Sequence, residues 1–133
     1  MEPGHEPAPA LRRRLERASD EFLAGFFETE LRQKPENLAA LVELGHVYTR
    51  LGRIDEGLAV DRELVRRMPE DPTVHYNLAC SLARSGDADG AFQALGRARE
   101  FGYCDAAHLE QDEDLASLRG DPRYAVFLRS LAG

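Results

Sequence analysis

The nine residues LGHVYTRLG, Leu44 to Gly52, return thirty-four positions later as LACSLARSG, Leu78 to Gly86. Leu44 maps onto Leu78, Gly45 onto Ala79, Tyr48 onto Leu82, Arg50 onto Arg84 and Gly52 onto Gly86. A unit of this length cannot bury an apolar face alone, but it can bury one against a copy of itself. The repetition therefore constrains the chain to a stack of similar units.

Each unit reads as two helices. In the first copy Leu41, Leu44, Val47, Tyr48 and Leu51 recur at three- and four-residue steps and share one helix face. Gly52 ends that helix, and a second one carries Ile54, Leu58, Leu64 and Val65 before Pro69 stops it. In the second copy Asp71-Pro72 opens a helix, the Asp accepting from free amides and the Pro standing where none is needed. Leu78, Leu82, Phe92, Leu95 and Ala98 continue the apolar face, and Gly86 marks the turn. Small residues in equivalent places, Gly45 with Ala79 and Gly57 with Ala91, let paired helices approach closely.

The spacing Leu44-Gly45-x-x-Tyr48, Gly52, Gly57, Pro69 resembles the tetratricopeptide repeat, with Leu41 where that motif has an aromatic. The second copy, Pro72 to about Tyr103, has His75 at the aromatic place, Leu82 for the Tyr and Tyr103 for the closing Pro. Asp61 stands where the motif has an aromatic in its second helix, which weakens packing there. Stepping back one period sets Phe22 to Leu31 as the second helix of an incomplete preceding repeat. Leu11, Leu15, Ala18, Phe22 and Phe26 extend it from near Pro9 as a long helix covering that end of the stack. Downstream, DEDLASLRGDPRYAVFLRSL departs from the period and, with the second copy, resembles a tail that closes bacterial arrays of this repeat. Here Leu115 and Leu118 plug the last hairpin, and Asp121-Pro122 starts a helix with Tyr124, Phe127, Leu128 and Leu131 on one face.

The resemblance implies an all-α fold, a short right-handed superhelix of antiparallel hairpins with helical caps at both ends. Its expected divisions are a disordered tail at 1–8, a covering helix at 9–34, repeats at 35–71 and 72–104, and a cap at 105–133. It also implies a concave groove lined by the first helix of each hairpin, used to hold peptides. Val42, His46, Thr49, Arg50, Thr73, Tyr76, Asn77, Cys80 and Arg84 are the residues expected to line it. Asn77 can bond a peptide backbone through both ends of its amide, and Tyr76 and Val42 offer apolar contact. Arg50 and Arg84, one repeat apart, present guanidinium forks suited to carboxylates, which points to an acidic ligand. The family's clamp for C-terminal carboxylates has Lys and Asn where this chain has Val42 and His46; only Asn77 matches it.

Chemistry finds less support. His46 and Cys80 occupy equivalent places, but no third residue has catalytic or zinc-ligand spacing, and there is no Gly-rich phosphate loop. Cys104 and His75 read as packing residues, EQDED at Glu110 to Asp114 as a solvated turn with capping Asp residues, and Arg12 to Arg14 as a solvated face. The expectation is a protein without catalytic residues, metal or cofactor. A net charge of −7 argues against nucleic acid and against anionic membrane surfaces. Two cysteines and an N-terminus without an apolar signal core fit the cytoplasm. The leading function is a protein or peptide interaction module. The alternative is self-assembly, with the basic helix of Arg12, Arg13, Arg14 and Arg17 meeting the acidic C-terminal turn of another copy.

Overall fold

A computed structural model describes residues 6–132; of the expected tail, 1–5 lie outside the described residues. The chain is all helical: α1 (Ala8–Gln33), α2 (Leu38–Arg50), α3 (Ile54–Arg67), α4 (Pro72–Arg84), α5 (Ala88–Glu100), α6 (Ala106–Gln111), a 3-10 segment (Glu113–Leu118) and α7 (Pro122–Ala132). No strand occurs among the described residues. Each of α1 to α4 packs on the next helix in sequence, α4 also on the 3-10 segment, and α7 on α5 and α6.

Local chemistry sets the helix starts. Asn37 caps α2, accepting from the Ala40 amide at 3.1 Å. Asp71 caps α4 through the Thr73 amide at 2.8 Å, and Asp105 caps α6 through the His108 amide at 2.9 Å. These caps lie one period apart. Asp87 caps α5 through the Gly90 amide, and Asp121, one period later, accepts from the Arg123 amide at the start of α7. Turns within hairpins are made by Gly52 and Gly86, at φ 76° and 90°, where a side chain would be strained. In both, the amide of the next residue bonds back to the preceding helix, Arg53 to Tyr48 and Asp87 to Leu82, each at 2.9 Å.

The C-terminal part therefore keeps the period that the sequence reading ended at the second copy. First helices start at Leu38, Pro72 and Ala106, second helices at Ile54, Ala88 and Pro122. What changes is continuity. The place of a 13-residue first helix is taken by α6 and the 3-10 segment, broken at Asp112, whose ψ of 110° leaves the helical region. Arg119 satisfies carbonyls freed at the break, donating to those of Glu110 and Asp112 at 2.8 and 3.0 Å.

Two apolar clusters hold the stack. One joins Ala24, Leu41, Leu44, Val47, Tyr48, Leu51, Val60, Leu64 and Val74. The other runs from Leu78, Ala79 and Leu82 through Ala91, Leu95 and Ala98 to Leu115, Leu118, Tyr124 and Phe127. Val65 packs against both. Leu115 and Leu118 are fully enclosed, and Cys104, expected to pack, is exposed. The face of α1 that covers the stack is Leu23, Ala24, Phe27 and Leu31. Leu11, Leu15, Phe22 and Phe26, expected to cover it, point outward.

Ala91 has no exposed surface and sits in the crossing of α4 and α5. Ala91→Leu should overpack that crossing and cost about 1–3 kcal/mol of unfolding free energy, measurable by urea denaturation. A neutral result would contradict close packing at this point.

Candidate functional site

A cavity of about 560 Å³ opens on the side of α2 and α4 and is closed at one end by α6 and the residues after it. Its lining brings together seven of the nine residues selected from the sequence: His46, Thr49 and Arg50 from α2, and Thr73, Tyr76, Asn77 and Cys80 from α4. Val42 is turned away and packs into the α1–α2 cluster. Arg84 lies outside the lining. The wall also includes Asp61, Ser81, Tyr103, Asp105, His108, Asp112 and Asp114, none of which the sequence reading placed in the groove.

Asp112 organises the closed end. Its carboxylate accepts from the Tyr76 hydroxyl at 2.6 Å and from the Cys80 thiol at 3.6 Å. The Tyr76 ring stacks on Tyr103 with centroids 4.6 Å apart. Tyr76 is thus a buried post between α4 and the broken first helix, with little ring left for a ligand. The break at Asp112 aims this carboxylate inward, so EQDED is more than a solvated turn. His108 stands nearby, its Nε2 3.7 Å from Asp112 and its ring 5.3 Å from that of Tyr76.

Cys80, Asp112 and Asp114 bring one ligand atom each within 4.8 Å of one another. Burial, followed by the charges of Asp112 and Asp114, pushes the Cys80 thiol far above its ordinary range. At neutral pH it is a protonated hydrogen-bond donor, whereas ligation and nucleophilic attack need the thiolate.

The two arginines expected to receive an acidic ligand are already engaged. Arg50 bonds Asp20 of α1 at 3.0 Å. Arg84 pairs with Asp114 at 3.5 Å and donates to the Thr49 carbonyl at 3.3 Å, tying α4 to α2 and to the 3-10 segment. With these cations neutralised, the charge left facing the cavity is carboxylate.

Asp61 is the deepest of these acids. It occupies the place of Leu95 one repeat on, and both are buried. A carboxylate survives there because the Ser81 hydroxyl donates to it. Gly45 makes the room: a Cβ on it would lie 3.1 Å from Val60 and 3.4 Å from the Asp61 carboxylate. Burial raises the Asp61 pKa to about 6, with the Ser81 bond and the charge of His46 acting in the other direction. The sequence did flag this position, as an acid where the motif has an aromatic, but as a packing defect only.

A second cavity, of about 540 Å³, is lined by Arg62, Glu70, Asp87 and Arg97 among apolar residues, so it carries charges of both signs. His75 forms part of its wall, stacked on Phe101 and bonded to the Pro69 carbonyl at 2.6 Å.

A tetratricopeptide repeat family model matches the chain twice, over residues 10–72 and 42–103. No curated protein matches it.

The buried acid has a pH signature. The folded carboxyl titrates near 6 and the unfolded one near 3.8, so the fold holds this proton more tightly. Its contribution to stability is full below about pH 4, falls as pH rises to about 6, and is absent above. The charged form then costs on the order of 2–3 kcal/mol. Asp61→Asn keeps an acceptor for Ser81 and should remove this slope, making the variant more stable than the parent at pH 7 and not at pH 4. Parallel stability–pH curves for the two proteins would refute it.

Proposed function

The chain belongs to the tetratricopeptide repeat family, whose repeats mediate protein–protein interaction, and on that premise we propose that its groove binds a peptide segment bearing a basic side chain. The observation that carries this reading is the convergence of Asp61, Asp105 and Asp112 on one cavity whose Arg50 is already paired with Asp20 and whose Asp114 is paired with Arg84. A lysine or arginine entering there meets carboxylates on a wall of partly buried groups, where ion pairs are screened less than on an open surface. Asn77 supports backbone recognition, having donor and acceptor on one half-buried amide. Arg50 and Arg84, on which the expectation of an acidic ligand rests, both have partners within the chain, which favours the basic one.

On this reading the domain comprises a half repeat in α1, two full repeats, and a closing repeat whose broken first helix forms the end wall of the groove. Binding needs no thiolate and no metal. No helix among the described residues is long and apolar enough to cross a membrane. Self-assembly by a basic helix on the acidic turn of another copy stays the alternative, with Asp114 of that turn already paired to Arg84.

Selection of a random peptide library on the purified chain should enrich Lys and Arg over Asp and Glu, with binding that weakens as salt rises. Asp105→Asn keeps the cap on the His108 amide while removing one charge from the exposed part of the wall. This variant should bind the selected peptides about tenfold more weakly with a nearly unchanged melting temperature. Enrichment of acidic peptides, or equal binding by the variant, would overturn the proposal.

A further inference from the structure

Along α1 an apolar stripe faces solvent. Leu11, Leu15, Phe22 and Phe26 are between 43 % and 72 % exposed, with Ala18 exposed between them. The two shallow concavities along this stripe are lined by α1 residues alone. The period of the fold gives the stripe a meaning. One repeat on, Leu11 and Phe26 correspond to Gly45 and Val60. Two repeats on, Leu11, Leu15 and Phe26 correspond to Ala79, Ala83 and Ala94. Gly45, Val60, Ala79, Ala83 and Ala94 are all buried. Leu11, Leu15 and Phe26 thus hold interior places of a hairpin that has not closed, whereas Phe22 between them corresponds to exposed Glu56 and half-buried Gly90.

The reason it is open is local. Gly52 and Gly86 turn the complete hairpins with positive φ, and the residue one period before Gly52 is Ala18. An alanine in that conformation is disfavoured, and α1 runs straight through the position. Residues 8–17 are therefore a first helix and 20–33 a second helix, joined end to end instead of folded back.

We propose that a second copy of this chain closes the hairpin, each α1 laying its first half on the second half of the other in an antiparallel, two-fold exchange. The register follows from the closed hairpin, where Gly45 meets Val60 and Gly57 meets Tyr48. One period earlier the same pairing sets Leu11 on Phe26, and continues to Leu15 on Phe22, with the axis between Ala18 and Ser19. The small residues fall where the helices cross, and the large ones on either side. Charge agrees with this direction. Residues 8–17 carry four arginines and Glu16; in residues 20–31 Asp20 and Glu28 are engaged by Arg50 and Tyr48 of α2, which leaves Glu21 and Glu30 on the side of the stripe. Antiparallel exchange sets the basic half on the acidic half twice. No residue of this stripe lines the acidic cavity, so the exchange and peptide binding are tested separately.

Light scattering on the eluting chain at micromolar concentration should give about twice the 14.8 kDa of one chain. Leu15→Glu with Phe22→Glu, at exposed positions that leave helicity intact, should give a monomer. Ala18→Gly should ease the turn, let each chain close its own hairpin, and weaken the dimer about tenfold. Leu11→Cys with Phe26→Cys, in a Cys104→Ser background, should oxidise to a covalent dimer on a non-reducing gel. A monomeric parent, a bridge formed within one chain, or a dimer indifferent to the Leu15/Phe22 and Ala18 changes would each overturn the proposal, whatever peptide the groove takes.

Discussion

Everything in this fold hangs on a helix start placed every thirty-four residues by a short polar cap. Asn37, Asp71 and Asp105 accept amide hydrogens that would otherwise be unsatisfied at the first helix of each repeat. A cap of this kind typically contributes about 1 kcal/mol, a modest amount. Its larger effect is on phase. Fixing where a helix begins fixes which residues face its neighbour, so Ala79 and Ala91 meet at a crossing and leucines fill the spaces beside it. Hydrophobic burial then supplies most of the stability, but only in the register the caps impose.

That division explains what was legible. Family, fold class and helix faces rest on local chemistry and periodicity, which a linear sequence displays directly. The helix break at Asp112 does not. Nothing in QDED forbids a continued helix; the break is matched by a hydrogen bond from Tyr76, thirty-six residues away. For the same reason the period seemed to end at the second copy. Positions 106–118 carry no uninterrupted helical face, since the chain changes helix type there, although Gly120-Asp121 repeats Gly86-Asp87 one period on.

The groove shows the same limit. Seven of nine residues line the cavity because first-helix faces are periodic, yet the pairing of both arginines within the chain is not visible in the sequence. Arg50 and Arg84 looked free since their partners, Asp20 and Asp114, each lie thirty residues distant. Along α1 the difficulty is of another kind. Periodicity identifies an apolar stripe but not what lies against it, and this helix has two: Leu23, Ala24, Phe27 and Leu31 on the stack, and Leu11, Leu15, Phe22 and Phe26 in solvent.

Asp61 and Leu95 show how one structural position can serve two ends. Leu95 is fully enclosed and makes the second hairpin a rigid core element. Asp61, in the same place one repeat earlier, gives up that burial, lies against the cavity and needs Gly45 and Ser81 to be tolerated. A leucine there would be expected to favour stability, since a buried carboxylate must be desolvated and a methyl group need not be. What the acid brings is a negative charge at the base of a groove whose other carboxylates come from the opposite end of the domain. Repeat stacking makes this affordable, because each hairpin is stabilised mainly by its neighbours. The loss at one position is shared across the stack, and the groove keeps its field.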